Sequence, residues 1–445
     1  MISKNFADYK KHYAQTLQLG GPIMLGQLGI IVVGFADNMM VGHHSTLELA
    51  AASFVNNFFT LAFIFGMGFS YGLTPIMSGL FARGKHRDIG QMLKNSLLIN
   101  FCVGVVLSLV MLMVLFNIDL LNQPEELMPY VVPYYILQLI SIVFVMTFNS
   151  FKQFSDGTMD TKTPMWIMLG ANLLNIIGNY LLIYGNFGFP ELGLTGAGIS
   201  TLTSRIVTII VFFLLFTKGA RYKQYIEGFK QGVWNRQDMR QLIELGLPVG
   251  ILMGVETASF SLSVIMMGWL GTTALAAHQI VGVVTTLGFM IYYGIAAAVA
   301  IRVSRFKSLG SKTDIRRASF AGLHIITAVA CIVVTLVFFM RNQIGYLFTT
   351  EPDVIALVGI LSYSVMLYQF GDGIQILFSN ALRGVEDVKY MAVAAFICHF
   401  FISLPIGYFC GFILDWGALG IWCGFPISLS TLGVILYLRF NKITR

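Results

Sequence analysis

The chain has 445 residues, of which 56% are hydrophobic and only 11% are charged, and its mean hydropathy is +0.77. Soluble globular proteins carry charge on about a quarter of their residues, so this composition excludes that class and indicates a polytopic membrane protein. The net charge of +7 does not predict a nucleic-acid partner, because the basic residues lie in alternate loops, where they orient membrane proteins.

Apolar stretches long enough to cross a bilayer recur along the whole chain. A spanning helix needs about 20 predominantly apolar residues, and twelve segments reach that length. Their hydrophobicity is continuous rather than alternating, which disfavours a β-barrel. We therefore predict an all-α polytopic membrane protein with twelve transmembrane helices. Basic residues cluster in every second loop and at both ends of the chain, so the positive-inside rule predicts that both termini are cytoplasmic.

The first predicted helix, residues 14–38, carries a proline and two polar side chains in apolar sequence. Pro22 removes a backbone donor and can kink the helix, so we predict a hinge there. Gln27 is a candidate for lining a cavity. Asp37 is acidic within a membrane span, where a charge costs roughly 2.5–3.5 kcal/mol on insertion scales. It is therefore a candidate for binding an ion, a proton or a substrate.

Helices 5 and 6 add further polar groups to the first half. Asn172, Asn175 and Asn179 follow one another at i, i+3 and i+7, so they share one face of helix 5. Thr201 and Arg205 lie one turn apart on helix 6. Two interpretations are open: hydrogen bonds between helices, worth on the order of 0.6–2 kcal/mol each, or an ion or proton site.

The sequence repeats itself with an offset of 226 residues, which aligns Leu19-Gly-Gly-Pro22 with Leu245-Gly-Leu-Pro248. We predict two homologous six-helix bundles around a central cavity, residues 1–217 and 241–445. Because each copy has an even number of helices, both insert in the same orientation, as in transporters built from parallel repeats. A duplication that only enlarges the bundle is the alternative. Residues 218–240, basic with interspersed aromatic residues, are predicted to be a cytoplasmic amphipathic connector.

The second half carries different acidic residues from the first. Glu256 in helix 7 has Ser259 and Ser263 at i+3 and i+7, both candidates for lining a cavity. In the repeat Glu256 aligns with Ile30, and Asp37 aligns with Ser263. Because the acids do not follow the repeat that the packing glycines follow, we interpret them as functional.

Helix 10 places Asp372 in the middle of an apolar segment. Tyr368, Gln375 and Ser379 lie at i−4, i+3 and i+7 from it, so the four polar side chains share one face. A satisfied contact between helices would explain an isolated Asp. The second acid, Glu256, favours one shared acidic site instead, with Gln375 as a further candidate for lining the cavity.

No phosphate-binding loop, zinc-protease motif or serine nucleophile elbow is present, so we predict no enzymatic activity and no nucleotide energy source. If the chain is a transporter, its energy source is an ion gradient. The five cysteines lack metal-ligand spacing and are interpreted as packing residues.

The order and spacing of several short motifs resemble the multidrug and toxic compound extrusion (MATE) family, in its NorM-like branch. They are LGGP and ADNMMVGH in helix 1, VETASF in helix 7 and ALAAHQI before helix 8. The resemblance covers nearly the whole chain. It implies a V-shaped pair of bundles in a bacterial inner membrane, exporting amphipathic, mostly cationic compounds in exchange for Na+ or H+. No cofactor other than the coupling ion is implied, and we expect a monomer that contacts membrane lipids.

The resemblance also carries the family's sites onto residues of this sequence. The NorM-like cation-coupling site, a candidate for Na+, matches Glu256, Tyr368 and Asp372. Asn179 stands where some members have aspartate, which leaves one carboxylate in the first half. The residues that match the family's site in that half, a second ion, proton or substrate site, are Asp37, Asn175, Asn179 and Thr201.

Two other functions are open at this stage. A flippase for lipid-linked oligosaccharides or lipids has a related architecture, but it would be expected to carry a cationic cavity, whereas the candidates here are acidic. An intramembrane aspartyl hydrolase would require Asp37 and Asp372 to meet, although we predict Glu256 as the partner of Asp372.

Overall fold

The computed structural model of the chain describes residues 2–118 and 124–445. Within these residues the chain contains no strand and has twelve helical spans long and apolar enough to cross a membrane. The predicted all-α polytopic fold is therefore confirmed.

Most of the α-helices form one membrane span each. Those of the first half are α1 (Ile2–His44), α2 (Thr46–Ser70), α3 (Leu73–Ala82), α4 (His86–Phe116), α5 (Met128–Gly157), α6 (Lys162–Leu182) and α7 (Gly193–Lys218). Those that follow are α8 (Lys223–Gln231), α9 (Arg236–Trp269), α10 (Thr272–Ser308), α11 (Lys312–Met340), α12 (Pro352–Gly384), α13 (Val388–Phe396), α14 (Leu404–Tyr408) and α15 (Gly417–Thr444).

Two of the described spans contain more than one α-helix. α2 and α3 together form the span Thr46–Ala82. In the span Val388–Ile413, α13 and α14 alternate with two π-helical segments, Ile397–Ser403 and Phe409–Ile413. A π-helical turn is wider than an α-helical turn and is rare in proteins. This span therefore departs from regular α-helix along about half of its length.

The chain forms two compact units, and each contains parts of both sequence halves. Unit 1 comprises the chain up to Met24 together with 251–445, and unit 2 comprises 25–250. Both boundaries fall two residues after a proline inside a helix, Pro22 in α1 and Pro248 in α9. The predicted domains follow the sequence repeat and assign the start of each helix to its own half. In the structure the first turns of α1 belong to unit 1 and the first turns of α9 belong to unit 2.

In unit 1, the first turns of α1 pack against α10 through a buried arginine. Arg302 of α10 is 2% exposed and donates hydrogen bonds to the backbone oxygen of His12 (2.9 Å) and to Thr16 Oγ1 (2.7 Å). Further along, a Cβ added at Gly20 would lie 3.0 Å from the carbonyl oxygen of Gly294. The glycine therefore allows a close approach of the two backbones that a larger residue would prevent.

In unit 2, the first turns of α9 pack in the corresponding way. Gly246, the repeat counterpart of Gly20, lies against α2, where an added Cβ would come within 2.5 Å of the carbonyl oxygen of Phe69. The repeat thus preserves a packing contact in which the first helix of each half joins the unit formed mainly by the other half.

The predicted connector is held to unit 2. α8 packs closely on α4, where a Cβ at Gly90 would lie 2.6 Å from the backbone nitrogen of Phe229. The Tyr222 hydroxyl donates to Asp160 Oδ2 at 2.7 Å, and burial raises the pKa of Tyr222 to about 12, so the phenol stays a neutral donor at physiological pH. Residues 236–240, predicted as the end of the connector, already belong to α9.

Candidate intramembrane sites

The acidic site of unit 1 is centred on Asp372 of α12. Its side chain is 0% exposed, and neither carboxylate oxygen accepts a hydrogen bond from any described residue. Glu256 of α9 is partly buried and lies close enough to interact electrostatically with Asp372. Tyr368, one turn before Asp372 and 3% exposed, interacts with both acids. The structure thus brings the three predicted residues together.

Aromatic rings pack against Tyr368 of this acidic site. The ring of Phe260 stacks on that of Phe425 with centroids 4.4 Å apart and meets the edge of Tyr368 at 6.3 Å. The ring of Trp422 also packs edge-on against that of Tyr368, with centroids 6.3 Å apart. These contacts fix the orientation of the phenol ring beside the two acids.

Two residues of this site were not predicted. Tyr292 of α10 donates a hydrogen bond to Gln369 Oε1 at 2.8 Å, both side chains are 0% exposed, and Tyr292 interacts electrostatically with Asp372. Next to them, a Cβ at Gly288 would lie 2.5 Å from Gln369 Oε1. A single tyrosine or glutamine in an apolar helix is a weak signal of a functional site, and the sequence does not show that these two residues are partners.

The other candidates in unit 1 lie on the same helices. Gln375 is 1% exposed, and its Oε1 has no hydrogen-bond partner among the described residues. The Ser259 hydroxyl is likewise buried and unpartnered within the described chain. Ser263 instead donates to the backbone oxygen of Ser259 at 3.0 Å, so its hydroxyl is satisfied within its own helix.

The site of unit 2 joins three helices around Asp37. The Asn179 side chain of α6 donates to Asp37 Oδ1 of α1 at 2.5 Å. Asn175, one turn earlier, donates to Thr201 Oγ1 of α7 at 3.1 Å. All four predicted residues therefore take part in one cluster. Asn179 is 0% exposed, and its Oδ1 accepts no hydrogen bond from the described residues, so the cluster presents an acceptor to a donor or a cation.

Arg205 borders this cluster, one turn after Thr201 on α7. Its Nη1 donates to Gln138 Oε1 at 3.1 Å and to the Ser141 hydroxyl, both on α5. The guanidinium lies over the ring of Phe63, 4.8 Å from the centroid, and interacts electrostatically with Asp37. Sequence reasoning missed these two α5 residues, because an uncharged polar side chain in an apolar span is a weak signal until the fold shows its partner.

Gln27 and Pro22 lie apart from the cluster. Gln27 is buried on α1 at 4% exposure, but ten residues of helix put it about 15 Å along the axis from Asp37, too far to bind the same small ligand. Pro22 lies just before the boundary between the units, and its role as a hinge stays a prediction.

Twelve spans, two repeated halves and a carboxylate site in each unit define the architecture of a membrane transporter. The MatE family model matches residues 22–181 and 248–409, and the chain belongs to this family. As a member of it the chain is a transporter and not an enzyme, so the hydrolase alternative is wrong.

Named proteins and solved structures are also similar to this chain over nearly its whole length. "Multidrug resistance protein NorM" of Vibrio cholerae is 29% identical over 96% of this chain and 95% of its own length. The NorM protein of Photobacterium profundum is 28% identical over 98% and 96%. The crystal structure of the eukaryotic MATE transporter AtDTX14 has the same fold, with a TM-score of 0.88, 18% identity and coverage of 98% of both chains.

Proposed function

We propose that the chain is a cation-coupled antiporter that exports amphipathic, mostly cationic compounds by alternating access, with Na+ or H+ as the coupling ion. Relatives named multidrug resistance proteins support the substrate class. Structures described as MATE in complex with MaL6 and with MaD5 support small molecules as ligands of the fold.

The observation that carries the proposal is the buried, unpartnered carboxylate of Asp372 beside a second acid, Glu256. An ionised carboxylate in an apolar interior is too costly to remain alone, so the group must take up a proton or hold a cation. Two adjacent carboxylates strengthen this requirement, because both cannot stay ionised without a compensating charge. A site of this kind responds directly to the concentration of Na+ or H+.

Coupling follows from competition for the same charge. When the carboxylates are ionised they attract either a coupling ion or a drug cation, and the Tyr368 ring offers a face for an organic cation. When the coupling ion occupies the site, the drug loses its electrostatic attraction and leaves. The ion gradient thereby drives release on the side where the ion concentration is high.

The remaining expectations belong to the same proposal. Both termini would face the cytoplasm of a bacterial inner membrane, as the basic loops predict. The change of access would bend α1 at Pro22, where the helix lacks a backbone hydrogen bond. The protein would act as a monomer in contact with lipids.

Transport in liposomes tests the proposal. We expect uptake of ethidium, an aromatic cation, when an outward Na+ gradient or an outward H+ gradient is imposed with the membrane potential held at zero. Asp372→Asn should abolish this uptake, while Asp353→Asn, at an exposed position on the same helix, should leave it intact. Wild-type protein that responds to neither gradient would contradict ion coupling.

A further inference from the structure

Arg205 places a permanent positive charge at the middle of a membrane span. It lies midway between Gly193 and Lys218, the ends of α7, and so about 18 Å along the axis from either end. A guanidinium does not lose its proton in proteins, and at this depth it must turn to a polar interior. The interior it borders is the Asp37 cluster.

The contacts of Arg205 hold the guanidinium in place beside the cluster. Both hydrogen bonds, to Gln138 and Ser141, leave from Nη1, and the Phe63 ring covers the face of the group. Gln138 is itself held by the Tyr134 hydroxyl, to which it donates at 2.9 Å. Asp37 has Asn179 as its neutral donor and Arg205 within electrostatic range as its nearby positive charge.

The second half has no such charge at the corresponding place. Leu429 stands as far after Gly417 as Arg205 stands after Gly193, and it is 0% exposed. The glycines are equivalent in the repeat, so the two halves differ here in a mid-membrane charge. An arginine present in one half only, within electrostatic range of that half's carboxylate, indicates a role specific to this site.

We infer that Arg205 is a resident competitor for the cation site of unit 2. Its guanidinium compensates the charge of Asp37 when no external cation is bound. An arriving cation must compete with the guanidinium for the charge of Asp37, so binding is weakened and release is made easier, as a transport site requires. Arg205 acts through Asp37, and the inference rests on the proposed cation site of this unit.

The test is a double-mutant cycle on ethidium binding to the purified full-length protein. Arg205→Gln should lower the Kd about tenfold, the order expected from removing one nearby charge. Arg205→Lys, which keeps the charge, should stay close to wild type. Asp37→Asn should raise the Kd, and in that background Arg205→Gln should have a much smaller effect. Lys223→Gln, at an exposed position of the same unit, controls for net charge.

The outcomes separate the two levels of the argument. If Asp37→Asn weakens binding but Arg205→Gln does not tighten it, the competitor is overturned and the site stands. If Arg205→Gln lowers the Kd by the same factor in the Asp37→Asn background as in wild type, Arg205 does not act through Asp37 and the competitor is also overturned. If Asp37→Asn leaves the Kd unchanged, the cation site of unit 2 fails and the inference with it, whereas the dependence of efflux on Asp372 is untouched. Arg205→Met replaces Arg205→Gln if the latter does not purify as a monodisperse protein.

Discussion

At the scale of single residues, the two sites solve the problem of a buried carboxylate differently. Asp37 has a neutral donor, Asn179, and lies within range of a guanidinium. Asp372 has neither and faces a second acid. The first arrangement is balanced within the protein, and the second needs a proton or an external cation. This difference favours the second half over the first as the place of the proposed ion coupling.

The Asp37 carboxylate should matter for transport rather than for folding. In Asp37→Asn the new amide oxygen can still accept the hydrogen bond from Asn179, so the helix contact is preserved. We expect normal membrane yield and an unchanged Tm, together with reduced ethidium efflux. Asn175→Ala, which removes the bond to Thr201, is the structural comparison. Failure of Asp37→Asn to accumulate would show that its role is in packing.

The ring of Tyr368 should matter more than its hydroxyl. Tyr368→Phe keeps the edge contacts with Phe260 and Trp422 and the face available to a cation. We expect a loss of efflux several-fold smaller than in Asp372→Asn, measured at the same protein level. Equal losses in the two variants would mean that the hydroxyl is an indispensable ligand.

At the scale of elements, the first turns of α1 and α9 were the part of the fold that sequence reasoning could not place. Each helix is unbroken along its length, so nothing local shows that its start and its end belong to different units. The partner is decided by contacts distant in sequence, such as Gly20 with Gly294 and Gly246 with Phe69. The spans themselves were predictable, because length and hydrophobicity suffice.

Arg302 should anchor the start of α1 in unit 1. Its guanidinium bonds to His12 and Thr16 are buried, and a bond to a charged group is worth about 1.5–3 kcal/mol. In Arg302→Met we expect faster backbone hydrogen exchange in residues 9–22. The equivalent turns of α9, residues 236–248, serve as the internal control and should be unchanged. If residues 9–22 exchange at the same rate in the variant as in the wild type, Arg302 does not anchor the start of α1.

At the scale of the whole molecule, much of the candidate site was predictable because charges inside membrane spans are rare. Asp37, Glu256 and Asp372 stood out for that reason. Tyr292, Gln369 and Gln138 did not, since an uncharged polar residue is common in such helices and gains meaning only from its partner. The sequence shows that the two halves carry different charged residues. It does not show which groups lie beside each charge, because that depends on the fold.

The orientation of the molecule can be tested by labelling. A single cysteine at Gln231, exposed at the end of α8, should react with a membrane-impermeant thiol reagent only after intact cells are permeabilised. A cysteine at the exposed position Glu351, in an acidic loop, should react in intact cells. The five native cysteines are first replaced. Labelling of the Gln231 position from outside would reverse the orientation and the inferred direction of transport.

The central claim is that Glu256 and Asp372 form one site for the coupling ion. Ion-induced release of ethidium from the purified protein tests it most directly, with Na+ and acid titrated separately. We predict that wild type releases the bound cation, that Glu256→Gln and Asp372→Asn each bind ethidium but lose this response, and that the double variant adds little, as expected for residues acting as a unit. Undiminished release in both single variants would contradict the shared site and leave Asp372 as a structural residue.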